Sequence, residues 1–421
     1  MNEKYAVLVG LDWADQKHDL CLIETATGQK ERLVLEHKPE RINEWVRDMI
    51  ARYPGQRIAI CLEQNRGPVA YALMGYAELD LYPVNPARLA DYRKAFHPSG
   101  AKDDPVDAAL LLDLLMRHRE TLKAWRPDMK ETRLLAALCR DRRKAVDLRS
   151  SMCNAMRSTL KEYYPQALSL VGEELYSDLS CGFLMKWPDF QRLASTSQDK
   201  IRRFYYAQNC RSEKAIKERL ALIAGSCPLT TDETVTEANP VMVKTLIGQI
   251  RALNRSIADY DKRISQLFKE HPDAFIFKSF PGAGKQQAPR LLTAFGDDRD
   301  RYESAANVSS FIGVAPVIER SGKQVWIRWR WHVPKFLRQS VVEFAGSSIL
   351  FCPWAKIYYN EQRKRGKGHH AAVRALAFKW MRIMFRCWQD RVPYDEQKYL
   401  AALERHGSWL ASTVKKAQKA A

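Results

Sequence analysis

The chain has 421 residues, with 68 Lys and Arg against 49 Asp and Glu, a formal charge of +19. At about 100–200 residues per domain this length predicts two or three domains, and 46% apolar residues can bury a core, which excludes a disordered polyelectrolyte. No apolar run reaches the ~18–20 residues of a membrane span, the start lacks a signal peptide's basic-then-apolar order, and nine scattered cysteines without a CxxC pair predict neither disulfides nor structural zinc, so a reducing cytoplasm is expected.

Residues 5–12, Tyr-Ala-Val-Leu-Val-Gly-Leu-Asp, are a short apolar run ending in an acid, as a buried strand would be. Strand-like stretches at 18–24 and 31–36 flank the turn signal Thr27-Gly28, and 39–52 reads as a helix. Arg57-Ile-Ala-Ile-Cys-Leu-Glu63 is a second buried strand ending in an acid. Helix and strand alternate to Pro83, and Asp104-Pro105 opens a helix with proline at its first position. These elements predict a mixed α/β domain over 1–122.

From 123 to 275 the chain reads as helix. Leu246, Ile250, Leu253, Ile257, Tyr260, Ile264 and Leu267 recur at spacings of 4 and 3, the seam of a coiled coil, here expected to join copies of the chain. Asn239-Pro240 is expected to start that helix and His271-Pro272 to stop it, while 165–235 breaks the pattern as an insertion. A mostly helical domain over 276–398 follows, with a strand-like segment at Val325–Trp331, and 399–421 reads as a tail.

The charge is unevenly spread. Residues 276–421 hold 26 Lys and Arg and 11 Asp and Glu, a net of 26 − 11 = +15, which leaves +4 for residues 1–275. Such asymmetry points to a polyanionic partner, usually nucleic acid. The plainer alternative is a solvated basic surface.

Four acids stand out. Asp12 and Glu63 each end an apolar strand, and Asp104 and Asp107, three apart, share a helix face. If the strands are neighbours and the helix covers their ends, the carboxylates converge, and a hard divalent cation removes the cost of their repulsion. The bland alternative is that strand-end acids are common and acids at a helix start simply favour its dipole.

These residues carry a resemblance. Gly10-Leu-Asp-Trp-Ala14, Cys61-Leu-Glu63, Asn85-Pro86 and Ala101-Lys-Asp-Asp-Pro-Val-Asp-Ala108 resemble the RuvC/RNase H-like domain of DEDD transposases. The similarity is to the insertion-sequence "one-ten" family and its "eleven-eleven" subgroup, which includes Piv-type DNA invertases. It implies that Asp12, Glu63, Asp104 and Asp107 are catalytic and bind Mg²⁺, in a two-metal site or with Mn²⁺ as substitute. The implied fold is α/β plus α: a RuvC/RNase H-like N-terminal domain, a helical coiled-coil arm with an insertion, and a mostly helical C-terminal transposase domain.

Phe280-Pro-Gly-Ala-Gly-Lys285 invites a P-loop reading that fails, since Ser279 replaces the first glycine and Gln286 the Ser/Thr. A glycine hairpin approaching a phosphate through Gly282, Gly284 and Lys285 suits it better. Phe311-Ile-Gly-Val-Ala-Pro316 with Glu319-Arg-Ser-Gly322 is the family's next signature. A serine in a Ser-Gly turn would ordinarily be a turn residue; the resemblance makes Ser321 the nucleophile of a covalent phosphoserine intermediate. The family's usual Gly-His is replaced here by Pro334-Lys-Phe before Leu337-Arg338.

In Val325–His332, Val325, Ile327, Trp329 and Trp331 alternate with Trp326, Arg328, Arg330 and His332, predicting one core face and one basic, aromatic face. Arg363-Lys-Arg-Gly-Lys-Gly-His-His370 reads as a basic, phosphate-binding loop, with a targeting signal as the lesser alternative. The expected nucleic-acid contacts are therefore Gly282, Gly284, Lys285, Lys323, Arg328, Arg330, Arg338, Arg363, Lys364, Arg365 and Lys367. The resemblance implies a bacterial, nucleoid-associated recombinase acting on duplex DNA at element ends and target, guided by a structured RNA, as a dimer or tetramer and without a membrane. A structure-specific Holliday-junction nuclease, needing no Ser321, and a catalytically dead nucleic-acid-binding protein are the alternatives.

Overall fold

Two units make up the chain, residues 1–128 and 129–421. The computed structural model describes residues 4–63, 67–96 and 104–419, without the side chains of Asp104, Pro105, Gln418 and Lys419.

In the first unit, strands β1 (Tyr5–Asp12), β2 (Lys17–Glu24) and β3 (Lys30–Glu36) form an antiparallel meander. Helix α1 (Pro39–Arg52) leads to β4 (Arg57–Glu63), then α2 (Pro68–Leu73), β5 (Leu79–Val84), α3 (Pro86–Phe96) and α4 (Asp104–Arg117). The sheet order is β3-β2-β1-β4-β5, with β4 parallel to both β1 and β5. This mixed α/β arrangement is consistent with the RNase H-like expectation. Strands β1 and β4 are buried almost throughout, which is why both read as unbroken apolar runs. One sheet face packs on α1 and α2, and the other on α4. Asn85, part of the sequence signature, caps α3 by accepting from the Ala87 amide at 2.9 Å. The boundary lies beyond the expected 122, because Trp125 donates its backbone N–H to Leu81 and packs into the first core.

The second unit opens with α5 (Lys130–Tyr163). Short helices α6 (Gln166–Val171), α7 (Asp178–Lys186), α8 (Phe190–Ala194), α9 (Gln198–Ala207) and α10 (Glu213–Ala224) form the insertion, and α11 (Glu233–Glu270) returns along α5. Helix α11 starts earlier than Asn239-Pro240 because Asp232 caps it, and Pro240 sits inside.

The heptad seam has its partner in the same chain. Arg142 pairs with Asp261 and Arg149 with Asn254, so α5 and α11 run antiparallel, with Leu246, Ile250, Ile257 and Ile264 buried between them and neighbouring helices. The buried seam positions therefore have partners within the chain, while Leu253, Tyr260 and Leu267 stay half-buried. Ile250→Ala should cost about 2–5 kcal/mol in urea unfolding of the full chain and leave the sedimentation coefficient unchanged. A change in oligomer size at unaltered stability would return the seam to an intermolecular role.

The remaining helices are α12 (Ala274–Lys278), α13 (Gly284–Phe295), α14 (Ala305–Ile312), α15 (Lys335–Phe351), α16 (Pro353–Lys364), α17 (His369–Asp390), α18 (Glu396–Arg405) and α19 (Trp409–Lys419). Between α14 and α15 lies a two-stranded hairpin, β6 (Val317–Ser321) and β7 (Gln324–Arg328). Leu135, Leu138, Cys139 and Ile264 from the base of the α5–α11 pair share one core with α13, α15 and α17, so the arm and C-terminal region are continuous rather than separate domains. The segment read as a tail is helical and docked, with Leu410 and Val414 in that core. Among the described residues, no helix is long and apolar enough to cross a membrane.

Candidate active site

In the first unit the parallel register pairs Leu11 with Leu62, so Asp12 and Glu63 end adjacent strands side by side. Residues two apart on a strand share a face, and Gly10 faces α4. A Cβ on Gly10 would lie 2.1 Å from the Ala108 carbonyl oxygen and 2.4 Å from the Leu112 nitrogen. Only glycine lets α4 lie this close, and the contact brings Asp107 to the sheet face that carries Asp12. Asp104 opens the same helix, but its side chain lies outside the described residues.

Asp107 is 2% exposed, and both of its oxygens are taken. Arg93 of α3 donates from Nε to Oδ1 at 2.6 Å and from Nη2 to Oδ2 at 2.5 Å, a bidentate pair that neutralises the buried carboxylate. The oxygen-only donors Asp12 and Glu63 suit a hard divalent cation. Asp107 as placed does not, unless Arg93 gives way. Among the described residues, no three His, Cys, Asp or Glu side chains are grouped to hold an ion. Arg93 had no signature in the sequence.

Arg93→Ala leaves a buried charge uncompensated, which should cost about 3–5 kcal/mol in metal-free buffer. If Asp107 is a metal ligand, Mg²⁺ or Mn²⁺ should restore part of the lost melting temperature. No restoration would give Asp107 a purely structural role.

His18, wholly buried on β2, supports the loop after Asp12. The Ala14 amide donates to its Nδ1 at 3.3 Å, so Nε2 carries the proton and donates to His37 Nδ1 at 2.9 Å. Burial, with His37 adding to it, pushes the His18 pKa down to about 4. The unfolded chain therefore takes up this proton first, and stability falls as pH drops from 6.5 towards 4. Thermal melts across that range should show the loss. His18→Asn, whose amide oxygen can still accept from Ala14, should remove most of it.

In the second unit Ser321 ends β6 and faces Gln324 across the turn, where Gly322 has φ +57°. Cross-strand partners place Glu319, Ser321, Gln324, Trp326 and Arg328 on one face, and Arg328 pairs with Glu319 at 3.0 Å. The other face carries Ile318, Arg320, Val325 and Ile327. Neither face is buried: Ile327 and Trp331 are each 74% exposed. The expected core face is corrected, because a two-stranded ribbon has no second layer to cover it, and the strand stops at Arg328. Lys323, at the tip, is exposed.

Gly282 takes φ +82°, and its Cα approaches α15, where a Cβ would meet Phe351 at 2.9 Å and Ser347 at 3.3 Å. Its need for glycine is met by packing rather than by a phosphate. Gly284 opens α13 with φ +54°, and Lys285 beside it is exposed. In the basic loop Arg363 donates to the Lys367 carbonyl, Lys367 to Gln362 and Arg365 to Glu361, while Lys364 is exposed. Arg338 of α15 donates to the Arg330 carbonyl at 2.7 Å.

Comparison with known proteins adds two family matches. A family model described as "Transposase" covers residues 9–165, and one described as "Transposase IS116/IS110/IS902 family" covers residues 274–360. The chain is similar to the "Mini-circle putative transposase for IS117" of Streptomyces coelicolor, 27% identical over 95% of this chain and 98% of that protein. It is also similar to the "Insertion element IS110 uncharacterized 43.6 kDa protein" of the same organism, 23% identical over 74% and 75%. The "Insertion element IS900 uncharacterized 42 kDa protein" of Mycobacterium paratuberculosis is 25% identical over 75% and 79%.

Proposed function

Because the chain belongs to the IS110 family of insertion-sequence transposases and is thereby a DNA transposase or recombinase, we propose that it cuts and rejoins DNA through a phosphoserine intermediate on Ser321. The observation that carries this reading is the placement of Asp12 and Glu63 on adjacent parallel strand ends, beneath the helix bearing Asp107. Asp12, Glu63 and Asp104 would hold Mg²⁺, with Asp107 joining once Arg93 releases it, and the ion would supply Lewis-acid stabilisation of charge on a phosphodiester.

In the covalent step the Ser321 hydroxyl gives up its proton and forms an oxygen–phosphorus bond. The phosphodiester's own bond breaks, and the leaving oxygen takes a proton. Hydrolysis would discard that bond energy, whereas the phosphoserine keeps it for rejoining. The exposed hairpin tip allows DNA to reach Ser321. The basic excess of residues 276–421 supports duplex DNA as the partner. A structured guide RNA, an oligomeric assembly and action at the nucleoid in the bacterial cytoplasm complete the proposal.

The test is a denaturing gel after incubation of the full chain, Mg²⁺ and duplex DNA bearing the element's junction. A covalent protein–DNA band is expected from the wild type, and none with chelator or in Asp12→Ala. Full activity of Asp12→Ala would sink the acidic-site assignment.

A further inference from the structure

We propose that Arg338 and Arg374, stacked about Trp329 with Arg330 beside them, form a cradle for one backbone phosphate of a DNA strand bound along the Ser321 hairpin. The inference rests on the DNA-acting reading above and adds to it a particular ligand position.

The guanidinium carbon of Arg338, from α15, lies 4.3 Å from the Trp329 ring centroid, and that of Arg374, from α17, lies 4.7 Å from it. The two cations share one indole. Four of the more deeply sheltered arginines meet acids: Arg93 meets Asp107, Arg142 meets Asp261, Arg290 meets Glu343 and Arg299 meets Asp273. Among the described residues no carboxylate forms an ion pair with Arg330, Arg338 or Arg374.

Arg330 carries a buried Nε with no acceptor, and its carbonyl already holds Arg338 in place. Burial, and then the neighbouring Arg374, push the Arg338 pKa down, as expected of like charges gathered without an anion. Planar guanidinium forks match phosphate oxygens in pairs. The missing partner is therefore a compact, multiply accepting anion.

Position selects its source. Trp329 follows β7 directly, five residues beyond Gln324, which pairs with Ser321. At about 3.4 Å per residue the cradle lies at most about 17 Å from the level of Ser321. Duplex DNA rises about 3.4 Å per base pair, so the gripped phosphate falls within about five base pairs of the one attacked.

The test is a fluorescence-anisotropy titration of the full chain with a short mixed-sequence DNA duplex over a range of KCl concentrations. Arg338→Gln and Arg374→Gln should each weaken binding about tenfold and reduce the salt slope by about 1. The double variant should lose little more than either single one, because both groups hold one phosphate. Arg328→Gln, whose cation is paired with Glu319, should change the slope less.

Wild-type protein that does not bind the duplex at low salt would overturn the DNA-acting reading itself. Normal wild-type binding with unchanged single variants would overturn the cradle alone. Fully additive losses would overturn the shared phosphate, and losses seen with single-stranded RNA but not with duplex DNA would overturn DNA as its source. Relief of repulsion should leave both variants melting at or above the wild-type temperature. Should Arg374→Gln melt lower, Arg374→Lys decides: it keeps the charge but lacks the planar fork, so wild-type affinity in that variant would overturn the proposal.

Discussion

Ser321→Ala is expected to bind duplex DNA as tightly as the wild type while losing the covalent protein–DNA adduct, with cleavage and joining reduced about 10³-fold or more. Ser321 is exposed at the end of β6, so its truncation removes one surface oxygen and little packing. Ser309 and Ser340 provide the contrast. Both are fully buried; Ser309 donates to the Ala305 carbonyl, and Ser340 donates to Phe336 and accepts from Arg290. Their alanine variants should lose about 1 kcal/mol each yet still form adduct. Cleavage without adduct in Ser321→Ala would favour hydrolysis by a structure-specific nuclease. An adduct that persists would place the nucleophile on another residue.

A large loss of stability is expected from Gly10→Ala. The added methyl would sit 2.1 Å and 2.4 Å from backbone atoms of α4, and backbone cannot rotate aside as a long side chain can. The helix must shift bodily, at a cost above about 3 kcal/mol. Asp107 precedes Ala108 directly, so the shift also separates it from the strand end carrying Asp12. Urea unfolding should show the lower midpoint, and the same preparation should lose divalent-ion binding. An unchanged midpoint would mean that α4 does not lie against β1 at this point.

What was legible in the sequence follows physical range. An acid ending an apolar run reveals Asp12 and Glu63, because burial of both sheet faces removes alternation until the strand emerges. Their adjacency needed the parallel pairing of β1 with β4, which no local pattern encodes. Arg93 lies 14 residues from Asp107 and depends on the packing of α3 against α4, so spacing could not point to it. Arg374 likewise reaches Trp329 only through tertiary contact. The heptad period revealed a seam but not what covers it, since an antiparallel return of the same chain satisfies the same hydrophobic repeat as a second copy. In 317–328 one strand was readable, whereas its partner and its burial were not: alternation says which residues share a face, and only a second layer decides whether that face is covered. The capping acid Asp395, which accepts from the Lys398 amide, was a readable start signal for a helix that runs on into the segment taken for a tail.

The register of α5 against α11 carries an evolutionary consequence. Arg142 faces Asp261 and Arg149 faces Asn254, so each seven-residue advance on one helix matches a seven-residue retreat on the other. Continued at that pace, Met156 comes opposite Ile247 and Tyr163 opposite Pro240, so the chain leaves for the insertion and returns from it at neighbouring points. A segment whose two ends meet can lengthen while Arg142 keeps Asp261 nearer the base; exchanging it for a tight turn would uncover Leu246 and Ile250 and take the Tyr176 carbonyl from Asn254. The α5–α11 pair thus offers a place where the chain can grow at the far end while the base, which shares its core with α13, α15 and α17, is left as it is.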